Sequence, residues 1–131
     1  MTQQKSTTNW VTLSPELVDI IHDSVLNPGE LSGRAGDKSL DATLARVENR
    51  ILYGMIGDIY DLAAAYAVVI ARGHCFNDGN KRTAYLCMDT CLDINGIAID
   101  WDVTQIGPLI IDIAQGKADE DDLAAFLRPV V

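Results

Sequence analysis

The stretch from Ile59 to Ile70 is nearly apolar and constrains the fold more than any other segment of the chain. Its large apolar side chains recur at helical spacing, at Ile59, Leu62, Tyr66, Val69 and Ile70. The alanines from Ala63 to Ala65 keep this helix slim. Because a helix with a broad apolar surface has to be surrounded by other elements, we predict that it lies at the centre of an all-α domain.

Helical periodicity continues on both sides of this segment, and no repeat or linker-like stretch divides the chain. We therefore expect one compact domain over residues 1–131, a bundle of about six helices. Residues 1–12 are expected to be a polar N-terminal extension of that domain. The first predicted helix begins after Ser14, the third at Asp58, the fourth near Asn80 and the sixth after the acidic run Asp119 to Asp122. The second is marked by the apolar period that includes Leu40, and the fifth by the period that includes Ile106.

Four segments show other patterns. Leu31 to Lys38 contains two glycines and no period, so we expect a flap-like loop or a short hairpin there. Ile97 to Trp101 is expected to be extended, and Gly107-Pro108 to interrupt the fifth helix early. The acidic run from Asp119 to Asp122 indicates a helix start rather than a metal site, because carboxylates in a first turn favour the positive end of the helix dipole.

Several single residues with possible chemistry are expected to be structural. Cys75, Cys87 and Cys91 lack the paired spacing of a zinc or redox site, so we expect reduced cysteines in the core. His22 is expected on the surface of the first helix. The buried stripe of that helix is predicted to be Leu17, Ile20, Ile21 and Val25.

Charge and composition exclude several functions. The chain has 10 Lys and Arg against 19 Asp and Glu, a formal charge of −9 and a sequence pI of about 4.4. Such a chain is not expected to coat nucleic acid or an anionic membrane, because both need surplus cations. No run of about 18 apolar residues is present. We expect a cytoplasmic protein with no membrane partner, and with no direct nucleic-acid binding except through another protein.

The segment from His74 to Thr83 concentrates side chains of catalytic type at the junction of two predicted helices. Asp78-Gly79-Asn80 has the composition of a tight turn into the fourth helix. The free backbone N–H groups from Asn80 to Thr83, together with the helix dipole, form a site suited to phosphate. Lys81 and Arg82 add positive charge, and an arginine can hold a phosphate through two parallel hydrogen bonds.

Three more side chains of this segment have a predicted role. Asp78 is a carboxylate suited to Mg²⁺, which commonly joins a protein carboxylate to nucleotide phosphates. His74 can remove a hydroxyl proton as a general base, and Phe76 is expected to anchor the loop in the core. The alternative is a polar helix-capping turn with a satisfied histidine. A cap needs only one Asp or Asn, however, so the combination favours a catalytic site.

The segment His74-Cys75-Phe76-Asn77-Asp78-Gly79-Asn80-Lys81-Arg82 resembles the signature of the Fic/Doc (filamentation/death-on-curing) family. That signature is His-x-Phe-x-Asp/Glu-Gly/Ala-Asn, followed by Gly-Arg in typical Fic proteins and by Lys-Arg in Doc. The resemblance extends to the preceding Ala-rich helix and the upstream flap-like segment. It implies the all-α Fic fold, and the use of ATP and Mg²⁺ to modify a hydroxyl of a target protein.

Lys81 assigns the chain to the Doc branch within this resemblance. A Doc-type protein is implied to bind ATP in reverse, so that the γ-phosphate faces the nucleophile. The implied activity is that of a protein kinase which phosphorylates a threonine of elongation factor Tu and inhibits translation. The implied partner is a Phd-like antitoxin whose C-terminal segment folds into a groove on the toxin.

The resemblance also implies roles for individual residues of this sequence. His74 and Lys81 are implied to be catalytic, Asp78 to be the Mg²⁺ ligand, and Phe76 to be a structural anchor. The implied ligands of ATP and its phosphates are Asn77, Gly79, Asn80, Lys81, Arg82 and Thr83.

Two other functions stay open at this point. One is Fic-like protein adenylylation, and the other is a non-catalytic binding role in a complex with the antitoxin. Seven of the ten cations lie within residues 34–82, whereas residues 83–131 carry nine acidic side chains against two basic ones. We therefore expect this acidic part to attract a basic antitoxin segment.

Overall fold

The computed structural model describes residues 9–99 and 101–129. Within them the chain forms six α-helices and no β-strand, which confirms the prediction of an all-α bundle. No helix of this described part combines the length and apolarity needed to span a bilayer. The helices are α1 (Pro15–Val25), α2 (Leu40–Leu52), α3 (Ile59–Gly73), α4 (Asn80–Ile94), α5 (Val103–Ala114) and α6 (Glu120–Leu127).

Helix α3 lies at the centre of the bundle, as predicted. Every residue from Leu62 to Val68 is buried, and the helix packs against α2, α4, α5 and α6. The three cysteines are buried and free, as predicted. Burial raises the pKa of the Cys87 and Cys91 thiols to about 12, so both thiols are protonated and unreactive near neutral pH.

The segment before α1 is attached to this core. Residues 1–8 of the predicted N-terminal extension lie outside the described residues. The Val11 N–H donates to the Asn95 side-chain oxygen at 2.8 Å, and the Asn95 amide donates to the Val11 carbonyl at 3.0 Å. The Leu13 N–H donates to the hydroxyl of buried Tyr66 at 3.1 Å. These bonds hold the start of α1 against α3 and α4.

The buried face of α1 differs from the predicted stripe. Val18, Ile21 and His22 are buried, whereas Ile20 is 65% exposed. Positions 18, 21 and 22 share one helical face, which turns position 20 toward solvent. The predictions for Ile20 and His22 are wrong because the packed face of α1 includes a histidine, which a count of apolar residues leaves out.

The expected interruption of α5 is not found, and the two connecting segments form loops, which for Leu31 to Lys38 was one of the two predicted forms. Helix α5 continues through Gly107 and Pro108; a proline this near the start of a helix removes one hydrogen bond, which the packed apolar face outweighs. Residues 97–99 and 101 form a loop rather than a strand, and residue 100 lies outside the described part. The segment from Leu31 to Lys38 forms no hairpin and pairs instead through one antiparallel bridge, between Arg34 and Phe76.

Side-chain caps set most of the helix starts. Helix α6 begins with a capping box, in which the Asp122 N–H donates to Asp119 and the Asp119 N–H donates to Asp122, both at 3.0 Å. The prediction that the acidic run is a helix start is therefore confirmed. Helix α4 begins without a side-chain cap. The caps of the other five helices are Ser14, Ser39, Asp58, Asp102 and Asp119.

Candidate functional site

The predicted motif forms the loop between α3 and α4, and both ends of this loop have left-handed backbone. His74 follows α3 with φ 51°, and Gly79 precedes α4 with φ 78°. A positive φ is uncommon outside glycine and marks a conformation that the surrounding structure imposes. The His74 side chain is exposed, so its ring is accessible to a substrate.

The start of α4 leaves backbone N–H groups without a side-chain cap. The Thr83 N–H donates to the Gly79 carbonyl at 2.9 Å, and the Thr83 hydroxyl donates to the same oxygen at 2.8 Å. The N–H groups of Asn80, Lys81 and Arg82 have no protein acceptor among the described residues. The site therefore comprises three N–H groups rather than the four expected, because Thr83 is already part of the helical ladder.

Two predicted ATP ligands instead hold the loop in place. The Asn80 side chain accepts from the Phe76 N–H at 3.1 Å and donates to the Phe76 carbonyl at 2.9 Å. The Asn77 amide lies 3.2 Å from the Ser32 carbonyl and 3.3 Å from the Gly33 carbonyl. With buried Thr83, they are placed to shape the site. Contact of Asn77, Asn80 and Thr83 with ATP stays a prediction. The hydrogen bonds that their side chains already make within the protein do not favour it.

The flap-like segment from Leu31 to Lys38 lies along the motif. The Ala35 N–H donates to the Cys75 carbonyl at 2.7 Å, and the Asn77 N–H donates to the Gly33 carbonyl at 3.3 Å. Arg34 anchors the same segment through an ion pair with Asp19 at 2.7 Å. The flap-like segment and the motif are therefore joined by backbone pairing.

Asp78 lies between the flap and α1. Its Oδ2 accepts from the Leu31 N–H at 2.8 Å, and its carbonyl oxygen lies 2.7 Å from His22 Nε2. The described residues contain no cluster of three or more His, Cys, Asp or Glu side chains of the kind that holds a metal alone. One carboxylate still fits Mg²⁺, which commonly takes one or two protein carboxylates and completes its shell with phosphate oxygens and water.

The two cations of the motif differ in their surroundings. Arg82 forms an ion pair with Glu30 and donates to the Val25 carbonyl at 3.0 Å. The hydrogen bond from the Asn27 N–H and the bond from Arg82 hold the pKa of Glu30 below its usual value. Lys81 is exposed and has no ion pair within the described part of the chain. Lys81 is therefore the cation available to a phosphate, whereas Arg82 already neutralises a carboxylate.

A largely apolar cavity of about 520 Å³ opens beside Lys81 and Arg82. Its walls come from α4 and α5, and it continues to the end of α1. It therefore shares Lys81 and Arg82 with the start of α4, whereas His74 and Asp78 do not line it. Its other lining residues are Val25, Tyr85, Leu86, Ile106, Gly107, Ile110 and Ile111.

His22 is the residue at this site that the sequence analysis missed. Its side chain is 1% exposed, and its ring stacks on Phe76 with the centroids 3.9 Å apart. Phe76 is itself 3% exposed and lies in the core. The sequence contained one indication that His22 is buried. His22 follows Val18 by four residues, so the two share the helical face that packs against the core.

Residues 12–92 match the family described as Fic/DOC. This match covers more than half of the chain and includes α1, the flap-like segment and the motif. The chain therefore belongs to the Fic/DOC family, which confirms the resemblance seen in the sequence.

Two relatives identify the branch. The chain is 34% identical over 117 residues to a protein named "Protein kinase doc" from Escherichia phage P1, an alignment that covers 88% of this chain and 92% of that protein. It is 40% identical over 92 residues to "Toxin Doc" from Mycolicibacterium smegmatis, with 67% of this chain and 70% of that protein covered. Both relatives are Doc proteins, as the Lys81-Arg82 pair predicted.

Proposed function

We propose that this chain is a Doc-type protein kinase toxin that transfers the γ-phosphate of ATP to a threonine hydroxyl of elongation factor Tu. The observation that carries the proposal is the uncapped start of α4, where backbone N–H groups and Lys81 form an anion site. Phosphoryl transfer needs such a site because its catalysis is mostly positioning and charge neutralisation. The name of the phage P1 relative supports the same reaction. We place it in the cytoplasm, where translation occurs.

Each motif residue has a proposed part in the transfer. His74 removes the proton of the attacking hydroxyl. Lys81 and the N–H groups of residues 80–82 hold the phosphates. Asp78 supplies a carboxylate oxygen to Mg²⁺, which neutralises charge on the phosphate oxygens when it is bound.

The charge of Arg82 is already paired with Glu30 in this structure, whereas Lys81 has no ion pair in the described part of the chain. We therefore assign the first phosphate contact to Lys81. Gly79 and Thr83 act by shaping the start of α4, and Asn80 acts by closing the loop on Phe76. Asn77 acts in the same indirect way, by bonding the motif to the flap.

The test is phosphate transfer from ATP labelled at the γ position to purified elongation factor Tu. We expect labelling of the factor by the wild-type chain and a loss of about 10²- to 10⁴-fold in His74→Ala, the usual contribution of a general base. Lys81→Ala is expected to lose activity, whereas Lys117→Ala, on an exposed loop after α5, serves as the matched control.

Other outcomes of this test support other functions. Label from the α position that is retained on a target protein indicates adenylylation. Growth arrest that survives His74→Ala indicates a binding role without catalysis. No transfer of either label by a folded wild-type protein, with Mg²⁺ present, contradicts the kinase proposal.

We also propose that a Phd-like antitoxin neutralises the chain by laying apolar side chains into the cavity between α4 and α5. Its lining isoleucines give such a segment an apolar surface, and Lys81 and Arg82 at the same cavity would then be covered. The surplus of acidic side chains in residues 83–131 would attract basic residues of the antitoxin.

The antitoxin proposal is tested at Ile111, which lines the cavity and is 43% exposed. Ile111→Asp is expected to weaken antitoxin binding at least about tenfold, because a charge would be buried against apolar side chains. Ile20→Asp, with its side chain exposed on α1, is the control. Equal antitoxin affinity in both variants contradicts the assignment, and affinity that is unchanged by salt removes its electrostatic component.

A further inference from the structure

His22 is a buried histidine outside the motif that contacts the motif at two points. Its ring stacks on Phe76, with the centroids 3.9 Å apart and the planes within 9°. Its Nε2 atom lies 2.7 Å from the carbonyl oxygen of Asp78. The His22 side chain is 1% exposed. It extends from α1 and contacts the loop that carries the candidate site.

The direction of this hydrogen bond follows from the chemistry of its two atoms. A carbonyl oxygen can only accept, so Nε2 carries the proton, and this partner assigns the tautomer. Nδ1 lies 3.8 Å from the carboxylate of Asp23, whose side chain is 73% exposed. That distance is beyond a hydrogen bond. The bond to Asp78 is therefore the polar contact that orients the ring.

This bond sets the orientation of the peptide between Asp78 and Gly79. The peptide is trans and planar, so the Gly79 N–H points away from His22 once the carbonyl oxygen points toward it. Gly79 then takes φ 78°, and α4 begins at the next residue. The side-chain carboxylate of Asp78 is held separately, because it accepts a hydrogen bond from the Leu31 N–H.

We propose that His22 is a positioning residue for phosphoryl transfer. Its Nε2–H holds the Asp78-Gly79 turn in the orientation that presents the Asp78 carboxylate and the N–H groups of α4 to Mg·ATP. The inference rests on the proposed kinase function. The stack on Phe76 keeps the His22 ring buried. The hydrogen bond from Nε2 fixes the orientation of the peptide between Asp78 and Gly79.

Two substitutions separate the hydrogen bond from the stack. His22→Phe keeps an aromatic ring against Phe76 and removes the donor, whereas His22→Gln keeps an N–H near the position of Nε2 and removes the ring. We expect His22→Phe to raise the Kd for Mg·ATP and to lower kcat/KM at least about tenfold, since small displacements of reacting groups have effects of this size. His22→Gln is expected to stay within about threefold of wild type.

Ile20→Gln, on the exposed face of the same helix, is the control for a change in α1 alone. Thermal unfolding confirms that each variant is folded before its binding and turnover are compared. Wild-type activity in His22→Phe overturns the proposal. An equal loss in folded His22→Phe and His22→Gln also overturns it, because the ring packing and not the donor would then be what matters.

A second measurement uses the unmutated full chain and needs no turnover. The chain contains two histidines, so ¹⁵N-labelled histidine gives a simple NMR spectrum, and His74→Ala assigns the signals. We expect His22 to be protonated at Nε2, with slow exchange of that proton. A neutral ring protonated only at Nδ1 overturns the proposal. Absence of phosphate transfer by the wild type, with this signature present, would instead count against the kinase function.

Discussion

The starts of α4 and α6 show opposite uses of the same end of a helix. Helix α6 begins with a reciprocal capping box and has three acidic residues in its first turn. Helix α4 begins at a left-handed glycine, has no side-chain cap and no acidic residue in its first turn, and carries Lys81 and Arg82 there. In α6 the Asp119 carboxylate accepts the N–H of the third helical residue, Asp122, whereas the corresponding N–H of Arg82 in α4 has no acceptor in the described part of the chain.

This difference distinguishes helix starts that add stability to the fold from a helix start that is open to a ligand. Capping stabilises a helix by roughly 1 kcal/mol, and five of the six helices in the described part use it. Helix α4 forgoes that stabilisation at the point where the motif lies. Its packing against α3, its most extensive helix contact in the bundle, compensates for the missing cap. A ligand can then occupy a helix end that the rest of the fold holds in place.

Among changes at the helix starts, the largest effect is expected when the start of α4 is given its own anion. Gly79→Asp places a carboxylate next to the free N–H groups and Arg82, whose guanidinium would lie 3.3 Å from a Cβ at this position. Gly79→Ala is the control, because it has the same Cβ and the same strain at φ 78°. We expect Gly79→Asp to bind ATP about 10- to 100-fold more weakly than Gly79→Ala, the size of a charge-assisted hydrogen bond. Equal affinities by calorimetry would contradict the anion site.

Asn80 tests whether the first residue of α4 serves the loop rather than the nucleotide. Asn80→Ala removes two hydrogen bonds to the Phe76 backbone, and we expect a loss of about 1–3 kcal/mol in the free energy of unfolding. Denaturant unfolding measures it. An unchanged stability together with a lost ATP affinity would instead assign Asn80 to direct phosphate binding.

The reverse experiment removes the cap of α6. Asp119→Ala deletes the side chain that accepts the Asp122 N–H at 3.0 Å, and we expect the free energy of unfolding to fall by about 1 kcal/mol. Affinity for ATP is expected to stay unchanged. A change in ATP affinity without a change in stability would contradict the division between the two helix ends.

At the start of α3, the cap residue Asp58 is expected to have a smaller effect on stability, and this effect depends on pH. Burial tends to raise the pKa of Asp58, but the hydrogen bonds from Arg128 and from the Asp61 N–H outweigh it and hold that pKa below its usual value. Because the folded pKa is lowered, the stabilisation is present above the ordinary carboxyl range and is lost as the pH falls through the folded value.

Asp58→Asn keeps a capping oxygen and removes the charge, so it isolates this ion pair. Since the Arg128 and Asp58 side chains are 40% and 42% exposed, we expect a loss of only about 0.5 kcal/mol at neutral pH. Urea unfolding at neutral and at acid pH measures the difference. A stability gap between wild type and variant that persists in acid would contradict the role of the carboxylate charge.

The periodicity of the sequence was sufficient to predict the helices but not every face they bury. The apolar stretch around Leu62 and Tyr66 predicted the central helix correctly, because a fully apolar surface has only one stable location. Ile20 and His22 were predicted wrongly, because the face that α1 buries is selected by the loop it packs against. Pro108 was predicted to interrupt α5, and the packing of that helix tolerates it.

The candidate site shows the same division within a few residues. The motif from His74 to Arg82 predicted an anion site. It also resembles the signature of the Fic/DOC family, to which the chain belongs. Side-chain partners could not be predicted in the same way. Glu30 pairs with Arg82 from 52 residues away, and Asn80 turns back to Phe76, so these contacts depend on how distant segments meet.

Sequence pattern alone was enough to predict an all-α protein, the helix starts at Ser14 and Asp58, and the loop that carries the family motif. These properties depend on local spacing, turn residues and capping groups, which are encoded within a few positions of one another. Three features are seen only in the folded chain. His22 lies under the motif, Lys81 rather than Arg82 is left without an ion pair in the described part, and the flap pairs with the loop. Those outcomes depend on long-range packing, in which burial and hydrogen bonding between distant segments select one partner among several.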